Sequence, residues 1–319
     1  MHNYFWIVFC LSICCCVSAT TNRPKYIIDN DAGGDDAMAI FIAILSEKYF
    51  DGPELIALTT GHGNTDEEQV TINNQQILKL AGRQDIPIYR GSAEALVSPF
   101  GNVWYYGLDG LGDNNDSYTD LFPPAEESAA FALIENSKKY EGSLSVVTIG
   151  TLTNIAVAMK YDPKFLDRLS HLYIGAGHLY SKEDPKPEFN ALMDVEAYHV
   201  VMQKADPEKV TILPFSQGRL HCNFSASWRK NVLGAIDTKI MKAQNKHERI
   251  SLTKNVRWQS LDPAVISTFL KPDLVKEYKY AKNDIIMCGK NRGINTNEFV
   301  PKDEANVRVV YSIDINHCE

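Results

Sequence analysis

Cysteine is scarce beyond the first sixteen residues. Four of the seven lie at Cys10, Cys14, Cys15 and Cys16, and the rest of the chain keeps Cys222, Cys288 and Cys318. Three cannot all pair within one chain, so at most one internal disulfide is possible and a hydrophobic core must carry stability. Basic residues are in deficit as well: 32 Lys and Arg stand against 40 Asp and Glu, a net charge of −8. Contact with phosphate backbones or anionic membranes relies on clustered cations, so neither is an expected partner. Past residue 19 no apolar run approaches the ~20 residues that span a bilayer. There is no internal repeat, low-complexity tract or evident linker, so the expectation is one domain over 20–319.

The first residues are a separate object. Phe5 to Val17 is apolar and uncharged, and Val17-Ser18-Ala19 offers small residues at a cleavage position. This has the form of a signal peptide, residues 1–19, and implies a secreted protein. Two sequons, at Asn115 and Asn223, fit that route as glycosylation candidates.

From Lys25 onward short apolar runs alternate with helical patterns. Strands are expected at Tyr26–Ile28, Leu55–Thr60, Ile86–Tyr89, Leu144–Ile149, Leu172–Ile174 and Val210–Leu213. Helices are expected at 35–46, 67–80, 125–140, 154–160 and 195–203. Such alternation implies an α/β fold with an open, mainly parallel sheet flanked by helices. The last third differs: helical stretches over 225–244 and 264–270 precede Ile285–Met287 and Val307–Ile313, read as a closing antiparallel pair. Ligands of open α/β sheets bind at the carboxyl ends of the strands. The residues after Ile28, Thr60, Ile149 and Ile174 should therefore meet at one rim.

The sharpest feature is Asp29-Asn30-Asp31-Ala32-Gly33-Gly34-Asp35-Asp36, with four carboxylates in eight residues between a strand and a helix. Like charges this close repel strongly in a low dielectric. A hard cation such as Ca²⁺ or Mg²⁺, which takes oxygen ligands, would relieve them. An EF-hand does not fit: counted from Asp29, its fifth and twelfth positions hold Gly33 and Ile40. A capped acidic turn accounts for one or two of the aspartates, and an aspartyl-phosphatase loop would use Asp29 as nucleophile.

This loop resembles the N-terminal signature of the nucleoside hydrolases, with Ala32 where many members carry proline. Four further segments carry the resemblance in order: Gly63-Asn64, Ile149-Gly150-Thr151-Leu152-Thr153-Asn154, Glu188-Phe189-Asn190 and Leu261-Asp262-Pro263. It implies a Ca²⁺-dependent hydrolase that cuts the N-glycosidic bond of ribonucleosides. It implies that Asp31 is metal ligand and general base, that Asp36, Asp262 and the Ile149 carbonyl complete the metal site, and that Asp35, Asn64, Glu188 and Asn190 hold the ribose. Family members commonly form homo-oligomers. Taken singly, Glu188 reads equally as a solvated loop residue, Asn64 as a turn former and Asp262 as a helix cap.

Two departures bear on function. The loop before the clamp, His178 to Pro185, lacks the asparagine that many members carry; His178 and Lys182 are the candidates to replace it. Leu261 stands where members acting on both inosine and uridine have a histidine that protonates the base. Purine-preferring members stack the base between aromatic rings, for which Trp104, Tyr106 and Trp258 are candidates, with core packing as the alternative for the tryptophans. The leading expectation is a purine nucleosidase. The alternatives are a broad-specificity nucleosidase and a non-catalytic nucleoside or calcium binder.

Overall fold

The computed structural model describes residues 23–97, 101, 103–114, 116–179, 186–222, 224–258 and 260–314. The leader, Asn115, Asn223, Lys182 and Cys318 lie outside the described residues. Cys222 caps a helix and is half-buried, and Cys288 is exposed.

The first half is built from β1 (Lys25–Asn30), α1 (Gly34–Tyr49), β2 (Glu54–Thr60), α2 (Glu67–Ala81), β3 (Ile88–Tyr89), α3 (Ala129–Lys139), β4 (Leu144–Thr148), α4 (Thr153–Tyr161), α5 (Phe165–Arg168) and β5 (His171–Gly175). There follow α6 (Phe189–Met193), α7 (Val195–Met202), β6 (Val210–Leu213), α8 (Phe215–His221), β7 (Phe224–Ser225), α9 (Ala226–Asn231), α10 (Lys239–His247), α11 (Ser251–Lys254), β8 (Arg257–Trp258) and α12 (Asp262–Leu270). The chain closes with β9 (Val275–Ile285), β10 (Asn295–Phe299) and β11 (Val307–Ile313).

Nine strands form one sheet in the order β10-β9-β11-β6-β5-β4-β1-β2-β3. It is parallel from β3 through to β11, and β9 and β10 add antiparallel strands at one edge. Alternate residues of a strand face opposite sides. In β1, Ile27 packs into one core with α3, α4 and α7, while Tyr26 and Ile28 pack into another with α1 and α12. Both faces of the central strands are buried, which is why they read as continuous apolar runs. Among the described residues no helix is long and apolar enough to cross a membrane.

The closing pair is a correction. The antiparallel partner of β11 is the Val275–Ala281 stretch of β9, not Ile285–Met287; of those three residues only Ile285 belongs to β9, and it pairs with Asn295 of β10. Exposed charges at the successive positions Lys276 and Glu277, with Lys279 and Lys282 beyond, hide its period. The predicted 225–244 helix is two, α9 and α10, separated by a short 3₁₀ turn over Leu233–Ala235. The strand expected from Ile86 shrinks to Ile88–Tyr89. Pro87, which has no N–H to give a ladder, precedes it.

Candidate functional site

β5, β4, β1 and β2 are neighbours, and the loops after them meet at one rim, as the strand-end rule requires. A cavity of about 360 Å³ opens there, within the range of small-molecule sites. Asp35, Asn64, Ile149, Glu188, Asn190 and Asp262 all line it. Asp31 and Asp36 lie beside it, buried and tied to it through Asn64.

The loop is held by its own polar groups. Asp36, in the first turn of α1, accepts from Gly33 N at 2.8 Å and from Asp31 N at 3.2 Å, which closes the turn on itself. Asn64 donates its backbone N–H to Asp31 Oδ2 at 2.8 Å and its side-chain amide to Asp31 Oδ1 and Asp36 Oδ2, both at 3.2 Å. Asn64 is thus a clamp on two carboxylates rather than a turn former. Ala32 sits at φ +34°, a value that the proline ring cannot take. Gly63 has no room for a side chain: a Cβ there would stand 1.8 Å from Asp31 Oδ2. Asp29 serves as a structural anchor, accepting from Thr59 Oγ1 at 2.6 Å and Asn154 Nδ2 at 2.8 Å.

The carboxylates of Asp35, Asp36 and Asp262 offer oxygens that all lie within 4.8 Å of one another. Asp262 is the first residue of α12 and its side chain does not cap that helix. Burial pushes all four acids up from the usual carboxylate range; repulsion from the neighbouring aspartates adds to it at Asp31, Asp36 and Asp262, and from Glu248 at Asp35. Asp31 rises to about 7 and Asp35 to about 6, and Asp36 and Asp262 also rise. Among the described residues no lysine or arginine lines the cavity. An all-oxygen set without a cationic side chain fits a hard divalent ion. Asp35, Asp36 and Asp262 are the converging donors, with Asp31 adjacent. Asp36 and Asp262 also stand in the first turns of their helices, where the dipole favours negative charge.

The far wall comes from β5 and α6. Glu188 caps α6, accepting from Gly177 N at 2.7 Å, Ala191 N at 3.0 Å and Asn190 N at 3.1 Å. It is buried, not a solvated loop residue. Asn190 donates to the carbonyls of Ile149 and Gly175, both at 2.9 Å. The Ile149 carbonyl therefore faces the clamp, with a second lone pair still open.

Of the aromatic candidates, Tyr106 reaches the cavity, whereas Trp104 and Trp258 are not among its lining residues. Tyr106 hydrogen-bonds Asp35 with its hydroxyl. Trp104, at φ +48°, is part-exposed. Trp258 packs on Phe224 and Trp228 and donates its Nε1 to Glu248 at 2.6 Å.

Tyr105, His178, Phe189, Phe215 and Asn255 line the cavity instead, beside Leu261. Tyr105 meets Tyr106 edge to face at 4.9 Å, and its hydroxyl accepts from Asn255 Nδ2 at 2.9 Å. Lys254 grips the backbone carbonyls of Trp104 and Tyr105 at 2.9 and 2.8 Å. The ring of His178 lies 5.8 Å from that of Phe215. Asn295 and Asn297, at the edge strand β10, hold its backbone. The Trp-Tyr-Tyr run was the one sequence signal for this wall; nothing local marks Phe215 or Asn255.

The family model of the inosine-uridine preferring nucleoside hydrolases matches residues 26–319. The chain belongs to this family. It is 35% identical over 193 residues to a probable uridine nucleosidase 2 of Arabidopsis thaliana, 57% of each chain. It is 33% identical over 186 residues to the inosine-uridine preferring nucleoside hydrolase of Leishmania major, again 57% of each. The chain thus spans little more than half the length of these curated relatives. Among solved structures it is similar to a plant nucleoside hydrolase, with TM-score 0.81, 25% identity and coverage of 92% of this chain and 96% of the other. It is also similar to an inosine-guanosine nucleoside hydrolase, with TM-score 0.78, 25% identity and coverage of 92% and 95%.

Proposed function

We propose that the chain is a secreted, Ca²⁺-dependent nucleoside hydrolase that cleaves ribonucleosides, purines preferentially, to ribose and free base. One arrangement carries the reading: Asp31, Asp35, Asp36 and Asp262 gathered with Asn64, Glu188 and Asn190 around one cavity at the carboxyl ends of the strands. Resemblance supplies the roles and the geometry is compatible with them.

Hydrolysis of an N-glycosidic bond needs water delivered to C1′, a sugar that tolerates positive charge and a base that can leave. Asp35, Asp36 and Asp262 would hold the cation, with Asp31 in the loop before α1 and the Ile149 carbonyl in the loop after β4. A bound ion would lower the pKa of water and polarise the sugar hydroxyls. Asp31 takes the proton from the attacking water. Asp35, Asn64, Glu188 and Asn190 orient the ribose hydroxyls, and the carboxylates stabilise the developing positive sugar. Tyr105 and Phe215 offer rings for the base. His178, a possible proton donor in the same wall, is the observation that favours broader specificity.

The test is incubation of purified protein with inosine, guanosine, adenosine and uridine, each with Ca²⁺ or chelator, with free base resolved by chromatography. Ca²⁺-dependent release of base supports the reading, and no release from any nucleoside overturns it in favour of a non-catalytic binder.

Metal removal has a readout in stability too. In the metal-free chain, Asp31 and Asp35 hold protons up to about 7 and 6 that unfolded carboxylates release near 4. Their folded pKa is raised, so the stability they contribute is present below about pH 4 and is lost as pH rises through 7. Without metal the melting temperature falls over that window. At pH 7 a saturating excess of Ca²⁺ raises it, by roughly 5 °C or more. Scanning calorimetry across pH, with and without Ca²⁺, checks both signs.

Gly63→Ala would place a methyl group against Asp31 Oδ2. Displacing a catalytic group by about an ångström costs roughly 100-fold in rate. We expect that loss in kcat/KM with an unchanged circular dichroism spectrum. An active Gly63→Ala enzyme contradicts the placement of Asp31.

Secretion rests on Phe5 to Val17 and the small residues up to Ala19. N-terminal sequencing of protein from a eukaryotic host medium should begin near Thr20, and glycosidase treatment should lower the mass if Asn115 or Asn223 carries glycan.

A further inference from the structure

The acids of the cluster are not held alike. Asp31 takes two hydrogen bonds from Asn64, and Asp36 accepts from Gly33 N, Asp31 N and Asn64 Nδ2. Asp35 shares none of these donors. It stands in the first turn of α1 and lines the cavity. Besides its own backbone N–H and Asp262, the group that hydrogen-bonds it among the described residues is the Tyr106 hydroxyl. An ionised Asp262 has no proton to give. In the ionised cluster the phenol is therefore the side chain that can orient Asp35.

Tyr106 is fixed well enough to do so. It lines the same cavity yet is buried. Its ring lies against the double glycine of the acidic loop. A Cβ on Gly33 would stand 2.8 Å from Tyr106 Cδ2, and one on Gly34 2.7 Å from Cδ1. Neither glycine has a positive φ. What excludes a side chain there is this ring, joined at Gly33 by the Asn64 amide. Tyr105 meets the ring edge to face at 4.9 Å, and the Tyr106 carbonyl accepts from Gly112 N at 2.8 Å. With ring and backbone both held, the hydroxyl is a preorganised donor, which costs no reordering when substrate arrives. A phenol is protonated at neutral pH and carries no charge, so it can orient a carboxylate without repelling a cation beside it.

We propose that Tyr106 is a positioning residue, whose hydroxyl holds the Asp35 carboxylate in the orientation from which it serves the cation and the ribose. Its effect on turnover rests on the proposed hydrolase activity; its effect on cation binding does not.

The test uses the mature chain, stripped of metal and titrated with Ca²⁺ by isothermal calorimetry, then assayed with inosine. Tyr106→Phe removes the hydroxyl and leaves the ring on the glycines. One hydrogen bond to a charged group is worth roughly 10- to 100-fold, and kcat/KM should fall by that factor. The loss should lie mainly in kcat, because the sugar charge that Asp35 meets develops in the transition state. Ca²⁺ should bind roughly 5-fold more weakly, within the range for one hydrogen bond, with an unchanged circular dichroism spectrum. Tyr105→Phe, which removes the neighbouring hydroxyl, should leave Ca²⁺ affinity as it was. The deciding measurement is a double-mutant cycle with Asp35→Ala. In that background Tyr106→Phe has no carboxylate left to misplace and should add no further loss of Ca²⁺ affinity or of rate. The proposal is overturned if Tyr106→Phe stays within roughly 2-fold of the parent in both readouts, or if its losses add in full to those of Asp35→Ala. It is equally overturned if Tyr105→Phe weakens Ca²⁺ as much, since the wall is then loosened as a whole. A parent chain that releases no base from any nucleoside ends the hydrolase reading, and the calorimetric cycle alone then decides the role of Tyr106.

Discussion

Asp31→Asn is expected to lower kcat for inosine by roughly 10⁴-fold, at the upper end for loss of a general base, while the chain stays folded. The substitution keeps an oxygen that can accept from Asn64 N and keeps the side-chain volume beside Gly63, so the clamp seen at 2.8 Å survives. What it removes is the basic oxygen that takes the proton, together with one negative charge. The charge matters in the opposite sense for stability. Asp31 is among the neighbours that push Asp36 and Asp262 upwards, so neutralising it relieves both. Without metal, Asp31→Asn should melt at or above the parent temperature at pH 7, and the stabilisation by Ca²⁺ should shrink. Single-turnover kinetics and calorimetry on the same sample separate the two effects. A variant within tenfold of the parent rate shifts the base role to another carboxylate. A variant that loses rate only because it unfolds leaves its circular dichroism as the sign.

The acidic loop was legible because its residues are contiguous and their charge density has few structural uses. The parallel strands were legible for a related reason: buried on both faces, they stand out as apolar runs. Legibility fails where the signal depends on distant partners. Val275–Ile285 pairs with strands on both sides, yet Lys276, Glu277, Lys279 and Lys282 break any apolar alternation and mask the strand. Asp262 looked like a helix cap until the fold brought it within 4.8 Å of Asp35 and Asp36. Trp258 has the right residue type for stacking but is committed to Phe224, Trp228 and Glu248. Tyr105, between Trp104 and Tyr106, reaches the cavity because the backbone turns through a positive φ at Trp104, and no propensity of the sequence announces that turn.

Purine nucleosides are expected to be cleaved with kcat/KM roughly 10²–10⁴ above uridine, the factor that one well-placed general acid supplies. The argument starts at Leu261, which lines the cavity and is buried in the core with Val265 and Ile266. A hydrocarbon there cannot protonate a departing base. Uridine must then leave as an anion or find another donor, whereas a purine can accept a proton at N7 from solvent, and an aromatic face stabilises the resulting cation. Tyr105 and Phe215 are the rings in place for this. Tyr105 is the better placed, since Asn255 fixes its hydroxyl and Lys254 its carbonyl. Tyr105→Ala should therefore lower inosine cleavage far more than uridine cleavage. The competing donor is His178, whose ring lies 5.8 Å from that of Phe215. If it protonates the base, His178→Ala should depress uridine turnover selectively and flatten the alkaline limb of its pH profile, where a general acid loses its proton. Equal kcat/KM for inosine and uridine in the parent enzyme, with His178→Ala losing both, would replace stacking by general acid catalysis from the loop after β5. A large inosine advantage that collapses in Tyr105→Ala and survives in His178→Ala assigns the selectivity to the aromatic wall.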